Sequence, residues 1–209
     1  MLEDYDLFIT QFVTLYALLE PIGHLSLFLA LTGEHSKADR LRLAILSPLF
    51  AFAVLSFFAL AGQTLLNAMN VSILSFQIAG GIILFSFSLS MIFGEAKKPS
   101  GVPEEKNLIS QAIYPLATPT IAGPGAILSV VLLADNNRGS PIAQSMTVLA
   151  VASMMLLLMG AFLAGDIITR LIGSGGTNLV RRVMGILIAA LSVDLVLSAL
   201  AKWLHLPPI

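Results

Sequence analysis

Six apolar runs, at 7–31, 43–66, 73–93, 108–134, 142–163 and 183–203, constrain this chain more than any other feature. Each is long enough for a helix to cross the roughly 30 Å hydrocarbon core of a bilayer, which takes about 20 residues. Only two acidic residues, Glu20 and Asp194, interrupt them. The runs are too long and too continuous for the alternating strands of a membrane barrel, and lipid admits only helices or closed barrels because the backbone must pair internally. Composition agrees: 57% of the 209 residues are hydrophobic and 11% charged, against about 25% charged in a soluble domain. The fold class is therefore an all-α membrane protein of six transmembrane helices.

Cysteine is absent, which excludes disulfides and thiolate metal sites. No metal or other cofactor is expected. The net charge of -1 gives no footprint for a nucleic-acid partner. The first six residues carry three acids and no Lys or Arg, unlike the basic start of a cleaved signal peptide, so the first helix is expected to stay in the mature protein.

Positive charge sets orientation, because cytoplasmic loops collect Lys and Arg. Nine of the eleven such residues fall in three alternate loops: Lys37, Arg40 and Arg42; Lys97, Lys98 and Lys106; and Arg170, Arg181 and Arg182. Arg138 and Lys202 fall on the opposite side. Both termini are therefore expected outside. The first and fourth helices then start from opposite faces, as in transporters built from inverted three-helix repeats. The halves are 1–94 and 108–209, joined by a cytoplasmic linker at 95–107. At an offset of 104 residues Gly81-Ile82 matches Gly185-Ile186, Ser88 matches Ser192, and Ser90 falls opposite Asp194.

The first and fourth helices should also be broken. One carries Glu20-Pro21-Ile22-Gly23-His24; the other carries Pro115, Thr118-Pro119 and Gly123-Pro124-Gly125. Proline removes a donor and clashes with the preceding turn, so three within ten residues make a continuous helix improbable. Freed backbone groups at membrane depth belong where they are buried in protein or line a wet cavity. A half-helix start offers amides and about +0.5 charge to a carboxylate, and glycine permits close approach. Paired breaks of this kind point to a substrate site near the midplane. The residues expected there are Glu20, Pro21, Gly23, Thr118, Pro119, Gly123, Pro124 and Gly125.

An ionised acid at the bilayer centre costs at least about 2.5–3.5 kcal/mol on insertion scales, so Glu20 and Asp194 are expected to face the bundle interior. Both are candidate carriers of a coupling ion, and His24, one turn beyond Glu20, is placed to share its proton. Gln77 is expected to bond between helices. Gly173-Ser174-Gly175-Gly176 lacks the Lys and the preceding strand of a phosphate loop and reads as a cytoplasmic turn. Arg181 and Arg182 read most simply as topology determinants, with a gating contact to cytoplasmic acids as the alternative, and Tyr5 and Trp203 as outer interfacial anchors.

The segments EPIGHLSLFLALT at 20–32 and PLATPTIAGPGAI at 115–127, with RVMG at 182–185, resemble the MarC family of bacterial and archaeal inner-membrane proteins. That family includes SnatA-type transporters of small neutral amino acids, and the resemblance spans essentially the whole chain. It implies a secondary transporter in the cytoplasmic membrane, carrying a glycine- or alanine-like substrate by alternating access. The resemblance also implies Asn at position 20, Pro at position 26 and Gln at position 194, where this chain has Glu20, Ser26 and Asp194. Two amides thus stand here as acids, which favours a proton over sodium as the coupling ion.

Two other classes compete. Asp166 and Asp194 echo an intramembrane aspartyl protease, but the first lacks a neighbouring Tyr and lies at a helix end, so no enzyme is expected. A non-transporting assembly or resistance-associated factor would use small residues such as Gly160 and Gly165 for packing. The orientation is tested by cysteine substitution: a residue placed at 138 should react with an impermeant maleimide in intact cells, and residues at 37, 97 and 170 only after permeabilisation. Labelling at 97 in intact cells would reverse the assignment.

Overall fold

A computed structural model describes residues 2–94, 107–135 and 141–207, and all regular structure among them is helical. The helices are α1 (Leu2–Leu19), α2 (Pro21–Thr32), α3 (Lys37–Ala68), α4 (Ile73–Phe93), α5 (Leu108–Gln111), α6 (Pro124–Asp135), α7 (Pro141–Leu163) and α8 (Gly165–Trp203). A π-helical segment, Ala112–Ile121, joins α5 to α6. The linker residues Lys97, Lys98 and Lys106, and Arg138, lie outside the described residues.

Four spans are continuous: Lys37–Ala68, Ile73–Phe93, Ile142–Leu163 and Asn178–Trp203. The other two are bent, by 41° between Leu19 and Pro21 and by 63° between Ile121 and Pro124. Counting each bent pair once gives six, and both bends fall on the proline motifs. The exterior is apolar, with Phe57, Leu60, Ile82, Leu156 and Phe93 all exposed. Such an outer surface is the reverse of a soluble domain's and suits contact with lipid.

Packing runs mainly between the two halves of the chain. α4 lies along α8 more extensively than any other pair, α3 meets α7, α6 and the π-helical segment, and α1 meets α7 and α6. Segments 1–94 and 108–209 are therefore interlocked. Small residues permit the close approach: a Cβ at Gly81 would come 3.0 Å from the Ser192 carbonyl, and one at Gly185 would come 3.2 Å from the Ser88 carbonyl. The Gln77 amide donates to the Leu195 carbonyl across the same interface at 2.9 Å, as expected. On α7, the Phe162 ring stacks on Phe28 of α2 with centroids 4.3 Å apart.

Two expectations need correction. The glycine-rich stretch at 173–176 is no open turn, because the chain is helical through it apart from Gly173, whose φ of 68° and ψ of 169° break α8. Only glycine adopts that backbone freely. A straight helix of 39 residues would be about 58 Å long, far beyond the bilayer, and the break separates the transmembrane part from the segment before it. Asp194 does not face the interior but is exposed. The inward stripe of α8 runs through Gly185, Ile188, Ser192 and Ala199, and at 100° per residue Asp194 points away from it.

Tight α4–α8 contact has a measurable consequence. Gly81→Val must displace Val196, whose Cγ2 would lie 2.7 Å from the new Cβ, and is expected to lower stability by about 1–3 kcal/mol. Gly160→Val, at a position with no neighbour within 4 Å, is the control. Equal melting temperatures for the two purified variants would contradict this packing.

Candidate functional site

Proline chemistry opens both bent spans. In the fourth, Tyr114 (φ -130°, ψ 124°) and Thr118 (φ -128°, ψ 130°) are extended, as the residue before a proline prefers. The chain then restarts as α6 at Pro124, whose missing N–H is harmless at a helix start. Gly123 is required by the turn itself, since a Cβ there would come 2.6 Å from the Pro119 carbonyl. In the first span Glu20 occupies the left-handed region at φ 36°, ψ 78°, and α2 starts at Pro21. A non-glycine residue there carries strain of order 1–3 kcal/mol, found most often at functional sites.

His24 connects the two breaks. One ring nitrogen faces the Glu20 carbonyl at 3.1 Å and the other the Thr120 carbonyl at 2.8 Å. The ring thus meets one backbone carbonyl from each bent span. A neutral imidazole donates from one nitrogen only, so it serves one of the two at a time. Its ring nitrogens face backbone carbonyls rather than the Glu20 carboxyl.

Between the breaks and the facing α4 lies a cavity of about 690 Å³, within the usual range for ligand sites. Glu20, Gly23, His24, Pro119, Gly123, Pro124 and Gly125 line it. Glu20 is 3% exposed, and its Oε1 has no hydrogen-bond partner. Gly23 makes room for that carboxyl, since a Cβ at 23 would lie 2.7 Å from Glu20 Cδ. The cavity is otherwise walled by Ile83, Leu84, Phe87 and Met91, with Ser26, Ser86 and Ser90.

Residues 5–204 match the sequence pattern described as MarC family integral membrane protein. The chain belongs to the MarC family. A UPF0056 membrane protein of Buchnera aphidicola subsp. Schizaphis graminum is 34% identical over 193 residues, covering 91% of this chain and 90% of the relative. One from Aquifex aeolicus is 32% identical over 205 residues, covering 95% and 94%. The UPF0056 inner membrane protein MarC of Escherichia coli strain UTI89 is 29% identical over 203 residues, covering 91% and 92%. No solved structure matches the chain. This MarC-family chain is thus an integral, multi-pass membrane protein.

Not every expected residue reaches the cavity. Pro21 is buried behind it, and Thr118 turns its hydroxyl back to the Ile113 carbonyl at 3.0 Å. Asp194 lies outside altogether. Conversely, Arg181, expected as a topology determinant or a gating contact to cytoplasmic acids, lines the cavity. The available signal was helical phase: Arg181 lies four residues before Gly185 on the inward stripe of α8.

The seat of the Glu20 carboxyl over Gly23 is open to a double-mutant cycle. Gly23→Ala is expected to lower the melting temperature in the presence of Glu20 and much less in the Glu20→Ala background, a coupling of about 0.5–3 kcal/mol. Strictly additive effects would place the carboxyl elsewhere.

Proposed function

We propose that this protein is a secondary transporter of a small zwitterion, a neutral amino acid such as glycine or alanine, working by alternating access in the cytoplasmic membrane. The observation that carries the reading is a cavity formed where two spans break, holding a buried carboxyl with an unpaired oxygen. Broken helices meeting around a central cavity are the recurring design of such transporters. The amino-acid substrate comes from the resemblance to SnatA-type proteins.

An inverted repeat, with both termini outside, completes the proposal and has several supports. α2 and α6 are each 12 residues long and begin with proline. Ser26 donates to the Ile22 carbonyl and Ser129 to the Gly125 carbonyl, the same bond at an offset of 103 residues. Across α4 and α8, Gly81 meets Ser192 and Gly185 meets Ser88, which is the reciprocity expected of a pseudo-two-fold axis. Ser88 and Ser192 likewise donate to Phe85 and Ala189, equivalent positions at an offset of 104.

Energy would come from an ion gradient, with Glu20 as the proton carrier. A carboxyl that is dry in one state and hydrated in the other takes up and releases a proton as its surroundings alternate. Sodium held by the freed carbonyls is the other coupling considered. Purified protein in liposomes should exchange radiolabelled glycine or alanine in counterflow. Glu20→Gln should keep this exchange at substrate concentrations raised to saturation, since exchange needs no net proton movement, and lose accumulation driven by a pH gradient. Undiminished accumulation by Glu20→Gln would remove the proton role and direct the test to replacement of sodium by potassium at fixed pH. No counterflow of any small amino acid by the wild type would remove the transport reading.

A further inference from the structure

One acidic and one basic side chain line the cavity among the described residues, Glu20 and Arg181. They come from different halves of the chain, one at the break in the first bent span and one in the first turn of the last span. Each keeps a buried polar atom without a partner, Oε1 of Glu20 and Nε of Arg181.

Arg181 is held from one side. It donates to the carbonyl of Gly94, the residue capping the C-terminal end of α4. A helix C-terminus carries partial negative charge, which favours a cation there. With one guanidinium nitrogen committed to that carbonyl, other N–H groups remain for the cavity, and the planar fork matches a carboxylate in two-pronged fashion. Buried charges are stable only when paired. Two opposite charges that share a cavity, with unpaired atoms on both, are complementary to a molecule carrying the inverse pair.

We infer that Arg181 anchors the carboxylate of a small zwitterion while Glu20 receives its ammonium group. This inference rests on reading the cavity as a zwitterion site. It adds the orientation of the ligand and moves the carboxylate from the half-helix amides around Gly23 and Gly123 to a side chain. The wall between the two anchors is apolar, from Ile83, Leu84, Phe87 and Met91. It accepts hydrogen or a short aliphatic group as the ligand's side chain and leaves a third charge unpaired. The ligand class is therefore α-amino acids with small uncharged side chains, and molecules with only one pole should bind poorly.

Equilibrium binding to the purified full chain, read by titration calorimetry, separates this inference from transport. Alanine is compared with ethylamine, which lacks the carboxylate, and with propionate, which lacks the ammonium group. Wild type should prefer alanine over either by about tenfold to a hundredfold, the scale of a hydrogen bond to a charged group. Arg181→Gln should weaken alanine by a similar factor and abolish the preference over ethylamine while keeping the preference over propionate. Glu20→Gln should do the converse. Arg181→Lys should recover part of the alanine affinity, and Arg182→Gln, at an exposed position, should change nothing. A structural role for Arg181 would weaken all three ligands together and leave their ratios intact. The inference is overturned if wild type binds ethylamine as well as alanine, if Arg181→Gln binds alanine as tightly as wild type, or if no small amino acid binds. Tight alanine binding without counterflow would sustain the two anchors and defeat only the transport reading.

Discussion

Backbone groups in hydrocarbon must find partners within the protein, and the two chain breaks are where that requirement is hardest to meet. The arrangement around them follows from how it is met. Glu20 and Thr120 present carbonyls at the breaks, and one imidazole, from His24, lies between them. The breaks are therefore coupled through a single ring that serves one carbonyl at a time. Any movement of α2 relative to the π-helical segment has to change the contact with the Thr120 carbonyl. The interlocking of the two halves has the same effect on a larger scale, since α1 finds its main neighbours in α7 and α6, and α2 in α7 and α8.

Packing and polarity divide the molecule between them. The α4–α8 contact is made close by Gly81 and Gly185 and lies against backbone on both sides, so it behaves as a rigid seam. Glu20, by contrast, holds a left-handed backbone conformation that disfavours most residues. Asn, which the family resemblance implies at this position, tolerates that conformation better than most. The shape of the break is thus compatible with an amide or an acid. The choice of Glu in this chain is a choice of charge, made at the one point of the first span that faces the cavity with an unpaired oxygen.

Much of this was legible in the residues. Run length and charge exclusion mark the spans, and Ile73–Phe93 begins and ends where the apolar run does. The proline motifs locate both breaks, because loss of a donor and a ring clash are local effects that no tertiary contact reverses. What was not legible depended on helical phase and on which half packs against which. Asp194 was expected inside because an outward acid is costly in lipid, yet its phase on α8 turns it away from the inward stripe. Arg181 carries two explanations at once. Its position beside Arg182 at a helix start fits the charge bias of loops, which hides the fact that it shares a stripe with Gly185 and Ile188. The stretch at 173–176 was misjudged for a related reason: glycines lower helix propensity without forbidding a helix, and only Gly173 departs from one.

The two bent spans are alike in shape and unlike in chemistry, and the difference bears on how a ligand can sit. α2 and α6 share length, an initial proline and a serine bonded one turn back. A cavity made by truly equivalent halves would offer the same groups from both sides and would hold a polar ligand equally well in two opposite orientations. Here the first break supplies a carboxyl and an imidazole, while the second supplies backbone and prolines. The only cation lining the cavity among the described residues comes from the last span. On the proposed inverted-repeat reading, charges placed asymmetrically between the halves would admit one orientation of a dipolar ligand and oppose the reverse, since reversal brings like charges together at both ends.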